Sequence, residues 1–187
     1  MRFWLVLLAG MLAFQARADM LDHRLASFAK LTQRKADFSE TLTASYLKQP
    51  VVSHGVLEYQ APDQLLKIIN SPEPVRYSIE HNIMTITRGQ DVQQVDLDKQ
   101  PLLGLGINAL RDLLRGDRGD LEARFKTSYD PSVDGHDQWQ LSLIPRDKAL
   151  QDKIRRVIMR GSGNQLQEVR MEYANGDHLV TRITGHE

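Results

Sequence analysis

From Phe38 onward, apolar residues recur at every second position in short runs, and the gaps between runs are a few residues long. Period two sends alternate side chains to opposite faces of a sheet. Phe38, Leu42 and Tyr46 fall on one face of a first strand, and Leu57 and Tyr59 continue the pattern after a break at Pro50. Runs follow at 64–69, 75–79, 83–87 and 91–97, punctuated by Pro62-Asp63, Pro72-Glu73-Pro74, His81-Asn82 and Gly89. A parallel crossover needs about a dozen residues or more, so gaps this short dictate an antiparallel meander.

Two stretches break the pattern. Between Asp19 and about Lys35, Leu21, Leu25, Phe28 and Leu31 recur at threes and fours, the spacing of an amphipathic helix. After Pro101 the chain reads as loop and helix to Leu114, with Gly104 and Gly106 as bends. Strands resume near Glu122. Trp139, Leu141 and Leu143 share a face, and Ile154, Val157 and Met159 are echoed by Leu166, Val169 and Met171. Asn175-Gly176 then favours positive φ between Met171-Glu172-Tyr173 and Leu179-Val180-Thr181, which specifies a hairpin. The pattern predicts roughly ten strands, a helix at the start and a helical insertion in the middle. No linker divides residues 19–187, so one domain is expected.

Arg2, the 12-residue apolar run Phe3–Phe14 and the small residues Ala16 and Ala18 read as a secretory signal peptide over residues 1–18, cleaved before Asp19. The run is shorter than the roughly 20 residues of a spanning helix. The 187-residue chain has 24 basic and 24 acidic residues, a balance that argues against a phosphate-backbone binder. No nucleic-acid partner is expected. With no cysteine, there can be no disulfide framework and no thiol nucleophile.

Candidate catalytic groups are scattered. His23, His54, His81, His136, His178 and His186 lack the paired spacing of metal ligands, and Asp130, Asp134 and Asp137 lack the order of a calcium loop. Neither Gly104-Leu105-Gly106 nor Gly161-Ser162-Gly163 completes a phosphate-binding motif, and no serine sits in a nucleophile elbow. No enzyme, metal or cofactor is expected.

A sheet of this size with two short helical segments has a face it does not fill, and that face is predicted to line a cavity. The candidate lining is Leu42, Tyr46, Leu57, Tyr59, Leu66, Ile68, Tyr77, Ile79, Met84, Ile86, Trp139, Leu141 and Leu143. The covering segment carries Leu102, Leu103, Leu105, Ile107, Leu110, Leu113 and Leu114. Such a surface favours acyl chains, because burying apolar area releases roughly 25 cal/mol per Å².

The order of an N-terminal helix, Lys35-Ala36-Asp37-Phe38-Ser39-Glu40-Thr41, then Ser53-His54-Gly55-Val56-Leu57-Glu58-Tyr59-Gln60-Ala61-Pro62 and Ser71-Pro72, resembles the periplasmic outer-membrane lipoprotein carriers, the LolA-like family. The resemblance covers the chain after the signal peptide, including the insertion after Pro101. It implies an α+β fold, an incomplete antiparallel β-barrel of about eleven strands closed by lid helices. It also implies a monomeric periplasmic carrier that takes acyl chains of a lipid or lipidated protein from an inner-membrane exporter to an outer-membrane acceptor. An accessory or sensor module of an export system is the alternative. Family members carry an arginine before the proline of the third strand, where it bonds to the lid. Here that position is Ala61, so the chain resembles a divergent paralogue whose lid is held by another donor or by apolar contacts.

Overall fold

The computed structural model describes residues 20–133 and 138–185. The signal peptide read at 1–18, its junction at Asp19, and the turn residues Asp134, His136 and Asp137 lie outside the described residues, as does His186.

Eleven strands form one antiparallel sheet that does not close into a barrel. They are β1 (Gln33–Thr43), β2 (Val51–Gln60), β3 (Gln64–Ser71), β4 (Val75–Glu80), β5 (Ile83–Arg88), β6 (Asp91–Asp96), β7 (Phe125–Val133), β8 (Gln138–Pro145), β9 (Ile154–Ser162), β10 (Gln165–Tyr173) and β11 (His178–Thr184). Their order across the sheet is β6-β5-β4-β3-β2-β1-β11-β10-β9-β8-β7. Each strand therefore pairs with its sequence neighbour, except that β11 returns to β1 (Phe38 opposite Ile183) and β6 and β7 form the two edges. The antiparallel α+β expectation of about eleven strands is met.

This topology decides where the helical insertion goes. β6 and β7 are consecutive strands on opposite edges, so the chain between them must travel across one face of the sheet. It does so as α2 (Pro101–Arg115) and α3 (Arg118–Arg124), joined by helix 20–28, here α1. Pro101 occupies the first turn of α2, where a missing N–H costs nothing. Gly116, at φ 70°, ends the helix in a left-handed conformation and donates its N–H to the Leu113 carbonyl at 3.0 Å. Asp117 caps α3 by accepting the Asp120 N–H at 2.9 Å.

Three local expectations differ from the structure. The N-terminal helix stops at residue 28, because Leu31 turns back to donate to the Phe28 carbonyl and β1 starts pairing at Gln33. The last strands resume at Phe125, because Asp117 starts a second helix over 118–124. Gly104 and Gly106 are helical, not bends. A Cβ at Gly106 would stand 2.5 Å from the Met171 Cε, so the missing side chain lets α2 lie close to β10.

The core is in two pieces. Over β7–β10, helices α1 and α2 fill the covered face: Leu25, Phe28, Leu113, Leu121, Phe125, Trp139, Leu141, Leu143, Ile154, Val157 and Met159 are almost wholly excluded from solvent. Phe28 meets Trp139 edge to face, ring centres 5.7 Å apart. Gly161 makes room for that indole; a Cβ there would lie 2.5 Å from Trp139. Over β4–β6 a smaller cluster forms from Ile79, Met84 and Leu97, with Tyr77, Ile86, Val95 and Ile107 against it. Each large apolar side chain buried this way contributes roughly 1.5–3 kcal/mol.

Candidate ligand cavity

Between the helices and the sheet the packing is incomplete, and a hollow of about 430 Å³ remains. That lies within the roughly 300–1,000 Å³ typical of small-molecule sites. Its floor is the covered face of β2–β4 and of β1, β11 and β10: Ala36, Leu57, Tyr59, Leu65, Ile69, Tyr77, Ile79, Val169, Met171, Leu179 and Ile183. Met84 of β5 and Phe28 of α1 border it, and Leu102, Leu103, Gly106, Ile107, Leu110 and Leu114 of α2 form its roof.

The register explains which sequence positions reach the hollow. Tyr59 pairs with Leu65, Leu57 with Lys67, and Leu65 with Ile79, so Leu65, Lys67 and Ile69 share the covered face with Leu57, Tyr59, Tyr77 and Ile79. Leu66 and Ile68 occupy the opposite face, paired with Glu58 and Val56. Leu66 borders both the cavity and a polar depression formed with Glu58, Gln64, Arg76 and Glu80; Ile68 does not line the cavity. Of the expected lining, Leu57, Tyr59, Tyr77, Ile79 and Met84 are therefore brought together on the covered face, and Leu66 borders the cavity from the other face of β3.

The others are placed elsewhere, for distinct reasons. Trp139, Leu141 and Leu143 lie on the same face of the sheet but under α1 and α2, where they are packed solid. Ile86 packs into the small β4–β6 cluster. Leu42 pairs with Leu179 and Val51 towards the end of β1 and does not reach the hollow. Tyr46 lies beyond β1 and is 75% exposed.

α2 carries two apolar stripes, which divides the residues of the covering segment. Leu105, Ala109 and Leu113 recur at fours and enter the solid core, whereas Leu103, Ile107, Leu110 and Leu114 face the hollow with Leu102. Leu105 and Leu113 are thus core residues. Leu102 and Leu103, both 45% exposed, stand at the opening.

Arg111 projects from α2 to the rim of the sheet. Its Nη2 donates to Asp63 Oδ2 at 3.1 Å in the β2–β3 turn, and its Nη1 donates to the His81 carbonyl at 2.6 Å in the β4–β5 turn. His81 holds φ 52° and presents that carbonyl to α2. The guanidinium is 6% exposed, and its burial lowers its pKa, while Asp63 opposes that shift. A guanidinium stays charged even so. The arginine missing at position 61 thus has a counterpart on the other partner: the helix supplies the cation and the strand turns supply the acceptors. Nothing in the alternation of the sequence pointed to Arg111, which lies one turn after Ile107, at the edge of the stripe that faces the hollow.

Arg115 and Arg124 brace the same helix end on the buried Asp112, with Arg115 2.7 Å from its Oδ1. Burial raises the Tyr59 phenol, and Arg115 partly opposes it. Burial also raises that of Tyr173, aided by Glu40. Both phenols remain neutral donors in the cavity wall at neutral pH. The Tyr59 hydroxyl donates to the Pro62 carbonyl at 3.2 Å.

Charged side chains also lie in the wall: Arg34, Glu40, Glu58 and Lys67. Lys67 and Glu40 form an ion pair at 2.6 Å, and neither was among the residues expected to line the cavity. A lysine in a strand reads as solvent-facing, and the signal that finds it is its place two residues from both Leu65 and Ile69.

Among the described residues no group of His, Asp or Glu converges as metal ligands, and no helix is long and apolar enough to cross a membrane. An open antiparallel half-barrel whose helices roof an apolar hollow defines a binding or carrier fold. Residues 13–187 match the family described as outer membrane lipoprotein carrier protein LolA-like, and the chain belongs to that family. No curated protein matches the sequence significantly.

Among solved structures, the fold is similar to a putative outer membrane lipoprotein-sorting protein domain from Vibrio parahaemolyticus, with a TM-score of 0.52 at 11% identity over 92% of each chain. It is also similar to MucB, with a TM-score of 0.53 at 12% identity over 92% of this chain and 58% of that one. The Pseudomonas aeruginosa MucA/MucB complex gives 0.51 at 13% identity over 90% of this chain and 56% of that one. This chain therefore spans little more than half the length of MucB. At these identities the likeness is one of fold.

Proposed function

We propose that this protein is a periplasmic carrier that shields an acyl chain of a lipid or lipidated protein in the cavity beneath α2, without covalent chemistry. The observation that carries the reading is the incompletely filled interior: an apolar hollow bordered by both packed clusters. Family membership and the signal peptide read at residues 1–18 support it. Export followed by cleavage before Asp19 would place the chain between the membranes, where an inner-membrane exporter loads it and an outer-membrane acceptor unloads it.

A carrier must release what it holds, and each 1.4 kcal/mol of extra affinity slows release by about tenfold at constant on-rate. A roof held by one buried arginine and by apolar contacts can part from the β2–β5 side while its other stripe stays anchored in the solid core. Movement of α2 is thus the step that couples loading to release.

Native mass spectrometry of protein purified from the periplasm, followed by organic extraction, tests the reading. Acyl-bearing ligands should accompany the protein. A stable protein complex free of lipid would instead favour a binding module with a fixed partner.

A further inference from the structure

Within the cavity wall, Glu40, Lys67 and Thr181 form a polar cluster between strands β1, β3 and β11. The Lys67 ammonium donates to Glu40 Oε1 at 2.6 Å and Oε2 at 2.7 Å, and the Thr181 hydroxyl donates to Oε2 at 2.6 Å. Lys67 reaches Glu40 across β2 at Gly55, with its ammonium 5.0 Å from the centre of the Phe38 ring. A Cβ at Gly55 would lie 2.9 Å from that ring and would collide with the Ile68 carbonyl. Glycine at this position lets the β3 backbone and the Phe38 ring lie against β2.

The cluster is small and sided. Lys67 is 24% exposed and Glu40 12%. On the covered face Leu57 and Tyr77 flank Lys67, while Phe38 lies beside Glu40 and Ser53 and Thr181 stand opposite it. Stability alone does not account for the pair, because apolar side chains of similar volume commonly serve a fold as well as a partly buried ion pair. The hydrogen bonds leave one ammonium N–H and one carboxylate lone-pair direction unused.

We propose that Glu40, Lys67 and Thr181 form a subsite for an uncharged hydrogen-bonding group borne on the apolar chain, such as an ester or amide linkage. An acyl ester or amide carbonyl accepts from the free Lys67 N–H, and an amide N–H donates to Glu40. The opposed charges cancel, so an anion set here would face Glu40 and a cation would face Lys67, each after losing water. A bare hydrocarbon would cover both groups and return no hydrogen bond. The inference rests on the cavity's binding an acyl chain, and it names which chains are preferred: those joined to their headgroup or protein by an uncharged polar link.

The test is displacement of the neutral dye N-phenyl-1-naphthylamine from the purified protein by octane, methyl octanoate, octanamide and octanoate. The ratio of octane to methyl octanoate dissociation constants should be about tenfold larger in the wild type than in Glu40→Leu/Lys67→Met. Comparing ratios removes the unequal solubilities. Octane binding should survive in that variant, which also shows that it folds. Glu40→Gln/Lys67→Gln, which keeps uncharged donors and acceptors, should retain the ester preference, and octanamide should follow methyl octanoate. An unchanged ratio in the apolar variant, or a wild-type gain larger for octanoate than for the ester, would overturn the subsite. If neither the dye nor octane binds the wild type, the carrier reading itself fails.

Discussion

Arg111 and Asp63 join the roof of the cavity to its rim through a hydrogen-bonded ion pair of 3.1 Å between α2 and the β2–β3 turn. Removing one partner of such a pair leaves the other charge partly buried. Arg111→Met should therefore destabilise the protein by about 3 kcal/mol in urea denaturation. It should also raise amide exchange along α2 more than in the β7–β10 strands. Arg111→Lys should fall between, since a single ammonium cannot serve both Asp63 and the His81 carbonyl. Equal exchange in α2 for all three proteins would show that the pair does not hold the roof.

The incompletely filled interior makes truncation costs depend on side. Leu141→Ala, in the solid part, should cost about 2–5 kcal/mol, because it leaves a sealed void. Leu57→Ala, in the cavity wall, should cost about 1 kcal/mol, because the removed atoms already faced a hollow. Similar losses for both in chemical denaturation would count against the division.

Gly161 is expected to resist substitution. A Cβ there would meet Trp139 and the Gln165 carbonyl, both fixed by surrounding structure. Gly161→Ala should cost about 1–3 kcal/mol and change the near-ultraviolet circular dichroism of the indole. Gly106→Ala should cost less, since it meets only the end of the flexible Met171 side chain.

Acid sensitivity should involve Asp177. The Ser45 N–H donates to its carboxylate at 2.8 Å, which lowers its pKa below the ordinary aspartate value. The folded state then holds its proton less tightly than the unfolded chain. The stabilisation is complete above the unfolded value and is lost as pH falls through the lower folded one. Asp177→Asn should flatten the acid limb of the stability profile below about pH 4, measured by denaturation midpoints. An unaltered limb would assign the acid response to other groups.

Much of this architecture was legible because the alternations and turns are local. The Asn175-Gly176 hairpin forms as written, with Gly176 at φ 93°. The parity of β3 was not legible. Leu65, Leu66, Ile68 and Ile69 place apolar residues on both faces, so alternation alone cannot orient the strand; its pairing with Tyr59 does. Trp139, Leu141 and Leu143 were correctly grouped on one face, but only the path of α2 across the sheet shows that they are covered. Lys67 and Arg111 were missed for a shared reason: each charge is matched by a partner distant in sequence.

β3 also offers the sharpest comparison for the cavity, since Leu65 lies on its floor and Ile68, three residues on, faces away. Ligand occupancy of Leu65→Glu and Ile68→Glu, measured by native mass spectrometry after equal loading with an acyl ester, separates the two faces. Loss of ligand in Leu65→Glu with retention in Ile68→Glu is the expected result, because a charge in the hollow must be desolvated by the incoming chain. Equal occupancy in the two variants, both folded, would contradict acyl-chain binding beneath α2.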